Sequence, residues 1–180
     1  MTAFLDKYKQ RKCNEMSYFL FGTFSALQDE KIIQNIKEYA KEKDIYIWFN
    51  EEITFCNDIQ RMIIEQKSKG NMQFAITSTN QPWNSSDVLF PFDKTNSEVL
   101  FSDETGEFYK RICRSNINIL FACLNKMKSL FDMNDWEIFV VEGYDNVFHK
   151  KKGNLDGIKN DLLLQIVDKK TIDSCIYYVN

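Results

Sequence analysis

Short branched or aromatic runs alternate along this chain with longer stretches in which apolar residues recur every three or four positions. The first kind suits strands; the second presents one apolar stripe and suits amphipathic helices. Few folds accommodate such an alternation, and helices layered on a sheet are the main one. With only 2 prolines and 6 glycines in 180 residues, no linker-like stretch divides the pattern. A single domain over 1–180 is therefore expected.

The details set the expected elements. Residues 2–14 suit a short amphipathic helix, with Phe4, Leu5 and Tyr8 on one side. The continuously apolar run 18–24 reads as a strand buried on both faces. Asp29 can cap a helix that turns Ile32, Ile33, Ile36, Tyr39 and Ala40 inward. The run 45–49 reads as an interior strand. A second helix, marked by Phe55, Cys56, Ile59, Met62 and Ile63, is expected to end in a left-handed cap at Gly70. Residues 73–77 give a third strand.

The alternation then stops. Residues 79–86 are turn formers around Trp83, and the similar runs 87–90 and 98–101 flank Asp93-Lys94-Thr95-Asn96. That arrangement predicts an antiparallel hairpin, with which the sheet becomes mixed. Beyond it come a long helix from near Glu107 to about Phe131, a strand over 136–141, a helix from Leu155 to Lys169 and a strand over 175–179. The expected fold class is α/β, with a mixed sheet of about six strands, amphipathic helices packed on it and the hairpin inserted in the middle.

Charge is distributed unevenly over this frame. Between residues 87 and 107, Asp87, Asp93, Glu98, Asp103, Glu104 and Glu107 face a single Lys94, a net charge of −5 in a chain whose total is −3. Helix capping accounts for part of the group at Asp103, Glu104 and Glu107, but not for the charges in the hairpin. A second acidic group frames the strand around residue 139, with Asp132, Asp135 and Glu137 before it and Glu142 and Asp145 after it. The last two fall where the strand hands over to a loop. Carboxyl ends of strands are common ligand sites in open α/β sheets. Single-signed surfaces of this kind attract oppositely charged partners and speed the encounter. Trp83 beside the hairpin is a natural anchor for such a partner.

Residues with catalytic chemistry are scarce. The only histidine, His149, adjoins Lys150, Lys151 and Lys152, and reads as a solvated residue in a basic turn. No glycine-rich phosphate loop, metalloprotease motif or nucleophile elbow is present. Cys13, Cys56, Cys113, Cys123 and Cys175 form no CxxC pair and have no histidine at ligand spacing, so reduced cysteines filling core positions are expected. No catalytic residues, metal or cofactor are assigned, and the chain is not read as an enzyme. A sequence pI near 5.3 argues against direct nucleic-acid binding. The basic residues before the apolar run at 16–24 imitate a secretory leader, but Glu15, Ser17, Gly22 and Thr23 dilute the pattern. With no run near the roughly 20 residues of a membrane span, a cytoplasmic location is expected.

The C-terminal third carries a family resemblance. The strand Ile138-Phe139-Val140-Val141, the sequence Glu142-Gly143-Tyr144-Asp145, Phe148, the leucine-rich helix and the closing Ile176-Tyr177-Tyr178-Val179 resemble one class of bacterial toxin-immunity protein. Such proteins neutralise the C-terminal toxin domains of contact-dependent growth inhibition and related polymorphic toxin systems. The resemblance implies one-to-one binding to a cognate basic toxin domain. A nuclease is the preferred class, specifically a transfer-RNA-cleaving ribonuclease, with an EndoU-like enzyme as one candidate. An acidic inhibitor can occupy the substrate cleft of such a nuclease as a mimic of phosphate. The residues expected to carry binding are Asp87, Asp93, Glu98, Asp103, Glu104 and Trp83, with Glu142 and Asp145 as a second patch. The alternatives are an adaptor or regulatory domain that binds another basic protein, and an enzyme using carboxylates near Glu142.

Overall fold

The computed structural model describes residues 18–53, 70–78, 80, 103–142, 148–169 and 173–180. In chain order the elements are β1 (Tyr18–Ser25), α1 (Glu30–Lys41), β2 (Tyr46–Phe49), β3 (Met72–Thr77), α2 (Asp103–Leu130), β4 (Asn134–Glu142), β5 (His149–Gly153), α3 (Leu155–Leu163) and β6 (Cys175–Val179). A π-helical turn, Leu164–Lys169, continues α3. Together they make an α/β fold, a mixed six-stranded sheet with the order β2-β3-β1-β4-β6-β5. All neighbours are antiparallel except the outermost pair, β5 and β6.

Helix formation follows the local sequence. One carboxylate oxygen of Asp29 accepts from the backbone N–H groups of Lys31 and Ile32 at 2.9 and 3.2 Å, satisfying orphan donors at the start of α1. Asn154 does the same for α3, accepting from Gly157 N–H at 2.8 Å. Caps of this type contribute about 1 kcal/mol each. The inward stripes, Ile33, Ile36 and Ala40 on α1, Ile117, Leu120, Leu124 and Met127 on α2, and Leu155, Ile158 and Leu162 on α3, share one buried cluster.

Strand alternation divides the sheet into two faces. Leu20, Phe24, Phe74, Ile76, Ile138, Val140 and Tyr177 point at the helices and join that main cluster. Phe21, Ala75, Phe139, Val141 and Ile176 point the other way and form a smaller buried cluster, in which Phe21 and Phe139 stack at 5.3 Å. Burial of both faces of β1 agrees with its continuously apolar sequence. Thr23 and Glu137 lie buried on the second face, the hydroxyl donating to the carboxylate at 3.2 Å. Gly22 lies where a Cβ would run into the Phe74 ring and the Glu137 carbonyl, so close packing of β1 against both neighbours depends on it.

The structure corrects several expectations. Among the described residues β2 is an outer strand and not an interior one. Its aromatic residues Tyr46 and Trp48 stack on the second face, where Trp48 Nε1 donates to Thr77 Oγ1 at 2.8 Å. The sheet is mixed because β5 and β6 are parallel; the 87–101 hairpin lies outside the described residues. His149-Lys150-Lys151-Lys152-Gly153 carries no large apolar residue and reads as a basic turn, yet it forms the strand β5. An outer strand needs only one paired edge, and the ladder with β6 supplies it. α2 starts at Asp103 and not near Glu107, which puts Asp103 and Glu104 in its first turn. Gly70 is not in the left-handed region; a Cβ there would meet the backbone of Phe24, so close approach is its role. The expected helices at 2–14 and 55–69 lie outside the described residues.

Candidate functional site

Strand register determines which loops share an end of the sheet. β1 is antiparallel to both β3 and β4, so those two strands run in the same direction and finish at the same end. Tyr18 pairs with Glu142, and continuing the β1–β3 register from Phe21↔Ala75 sets Phe19 beside Thr77. The carboxyl ends of β3 and β4 thus flank the start of β1, about 10 Å apart at two inter-strand spacings. β6 and β5 begin at this end as well, because Cys175 pairs with Val140 and His149 with Cys175. The chain leaving β3 enters the acidic stretch before α2, and the chain leaving β4 enters Glu142-Gly143-Tyr144-Asp145. The chain leaves the sheet toward both acidic stretches at the same end.

Among the expected binding residues, Glu142 is the last residue of β4, and Asp103 and Glu104 open α2. Their side chains are outside the described part, as are the residues Trp83, Asp87, Asp93, Glu98 and Asp145 altogether. Glu107 is described and exposed, and its charge is partly offset within the helix. Lys110 donates to it at 2.7 Å, and that hydrogen bond and charge, helped by Arg114 and Arg111, hold its carboxyl below the usual range.

One acidic residue joins this end without any signal in the sequence. Asp173 lies two residues before the last β4–β6 pair, Val140↔Cys175, at the end of the sheet where β4 finishes, and it is exposed. Its backbone N–H donates to Gln165 Oε1 at 2.9 Å, which ties it to the π-helical turn. The residues around Asp173 do not announce this placement, because the pairing of β4 with β6 joins segments far apart in the chain. His149 is exposed, as expected, although it begins a strand; its backbone N–H donates to Ser174 O at 2.9 Å.

A polar network braces the adjoining part of the sheet. Asp161 Oδ2 on α3 accepts from Lys151 Nζ at 2.7 Å, Tyr177 Oη at 2.7 Å and Gln165 Nε2 at 2.8 Å. Burial alone would raise the Asp161 pKa, but the donors outweigh it and hold the carboxyl below its ordinary value. Burial, followed by donation to Asp161, pushes the Tyr177 phenol well up, so it remains a neutral donor. The network ties β5, α3, the π-helical turn and β6 together.

The described cysteines, Cys113, Cys123 and Cys175, are free and buried. Burial pushes all three thiols up, Cys123 to about 11, so they are protonated at neutral pH. Among the described residues no group of three or more histidine, cysteine or acidic side chains is placed to hold a metal ion. No helix among them is long and apolar enough to cross a membrane. Comparison with family models, with curated proteins and with solved structures found no match.

Proposed function

We propose that this chain is a non-enzymatic immunity protein of the cytoplasm that neutralises a cognate basic toxin domain, one-to-one, through an acidic surface at the end of the sheet where β3 and β4 finish. A nuclease is the toxin class that fits best, because a cleft built for phosphate has the complementary charge. The observation that supports this reading is the shared direction of β3 and β4, whose ends, from which the chain leads on to the two acidic stretches, flank β1. The resemblance of the C-terminal third to immunity proteins supplies the kind of partner. Exposed Asp173 beside the end of β4 adds a negative charge in the same place.

The test is functional and kinetic. Co-expression with the C-terminal domain of a secreted toxin encoded beside this chain should protect cells that the toxin domain alone arrests. In the purified pair, Asp93→Lys with Glu98→Lys should slow association about tenfold or more at low salt, with a smaller effect at high salt. Failure of protection by the wild-type chain would remove the immunity reading. Protection with unchanged association in the double variant would leave that reading standing and remove the hairpin from it.

A further inference from the structure

Among the described residues β5 is the last strand of the sheet, and its outer edge has a property distinct from the acidic end. His149 N–H donates to Ser174 O, and Gly153 O accepts from Asn180 N–H, so residues 149 and 153 turn their backbone groups toward β6. In a ladder of this kind the orientation alternates, which turns Lys151 toward β6 and leaves the N–H and C=O of Lys150 and Lys152 facing outward. The side chains of Lys150 and Lys152 are exposed and lie on the sheet face away from α3, because Lys151 between them reaches Asp161 on α3. Each outward-facing backbone pair therefore comes with a cation beside it. The strand is also held in shape before any partner arrives, by its ladder to β6 and by the Lys151–Asp161 ion pair at 2.7 Å.

We propose that the outer edge of β5 docks an extended acidic polypeptide segment, which joins the sheet as a further strand with acidic side chains at alternate positions against Lys150 and Lys152. The main-chain groups supply the strand pairing, and the two cations select what pairs. A second copy of this chain is the wrong occupant for the same edge, because β5 against β5 brings lysines directly opposite lysines. Lysines on outer strands guard against association with neutral or basic strands. Toward an acidic strand the same side chains become attractive, and the guard becomes a filter. This site is independent of the proposed toxin surface, which uses carboxylates against a basic partner.

The experiment titrates the full-length chain with a synthetic peptide of alternating glutamate and valine, following amide hydrogen exchange and fluorescence anisotropy. The Lys150 and Lys152 amides should gain protection, while those of His149 and Lys151, already directed at β6, should not change. Lys150→Glu with Lys152→Glu should weaken binding about tenfold or more, since like charges then face each other across the new pair. Lys152→Pro removes one outward donor without touching the ladder to β6, and should also weaken binding; Lys152→Gln should retain the amide protection at reduced affinity. No added protection at Lys150 and Lys152 would overturn the proposal. Equal binding of a peptide whose backbone nitrogens are methylated at alternate residues would overturn it too, by reducing the interaction to charge alone.

Discussion

At the end of the sheet where β1 finishes, Phe24 meets Phe131 at 5.1 Å and Phe74 at 6.1 Å, and Phe49 meets Phe131 at 6.4 Å. Nearby, the Asn71 side chain and the Ala26 backbone exchange two hydrogen bonds of 3.0 Å. At the opposite end, where β3 and β4 finish, the described residues include the small buried Thr77 and Ser174 and the exposed His149 and Asp173. One end is closed by interlocked rings and reciprocal hydrogen bonds, although Asp132 and Asp135 are exposed there and the Trp136 indole donor near the start of β4 has no partner among the described residues. The other presents the exposed Asp173 and His149, and the chain leads on from it toward the two acidic stretches. The contrast suggests a division of labour, with substitutions at the first end affecting stability and those at the second affecting recognition.

The largest effect should come from the aromatic end. Phe24→Ala removes a fully buried ring that touches two others, and should cost about 3–5 kcal/mol in chemical denaturation. Its association rate with the proposed toxin domain, measured on the folded fraction, should match the wild type. A slower rate would break the proposed separation of the two ends.

Asp161→Asn tests the bracing network that lies between them, and should cost about 1–3 kcal/mol at neutral pH. Because the folded carboxyl is held below its ordinary value of 3.8, its stabilisation is present above that value and is lost as the pH falls through the lower, folded value. Denaturation midpoints followed into the acid range should therefore fall less steeply for the variant than for the wild type. Parallel acid limbs would show that Asp161 does not contribute in this way.

Smaller still is the expected effect of Trp136→Phe. The Trp136 Nε1 group is buried near the start of β4 with no hydrogen-bond partner among the described residues. Removing that donor while keeping an aromatic ring should change stability by less than about 1 kcal/mol, since lost packing and a relieved desolvation cost oppose each other. A thermal melt suffices to check it. A loss of several kcal/mol would mean that the indole packing outweighs the cost of burying its donor.

The two ends also differ in how much of each is legible in the sequence. β1 and α1 are legible because their determinants are local: a continuous apolar run for the strand, and the Asp29 cap with the stripe Ile33, Ile36 and Ala40 for the helix. β5 is not, because its formation depends on β6 and on Asp161, and none of its own side chains announces a strand. The outer position of β2 is hidden for a related reason. Tyr46 and Trp48 have strand-interior composition, and only the pairing order among the described strands places them at an edge. The acidic segments can be read as charge, but that the strands before them finish at one end of the sheet follows from β1 lying between β3 and β4. Asp173 escapes a sequence reading on the same ground, since its place at the end where β4 finishes follows from the pairing of β4 with β6.

The most direct measurement is the association rate of the toxin domain with a Glu142→Lys, Asp173→Lys variant, compared with the wild type across a salt series. If the end of the sheet where β3 and β4 finish is the recognition surface, the variant should associate about tenfold more slowly at low salt, and the two rates should converge as salt screens the charges. Identical rates at low salt, in a variant that denatures like the wild type, would contradict the account.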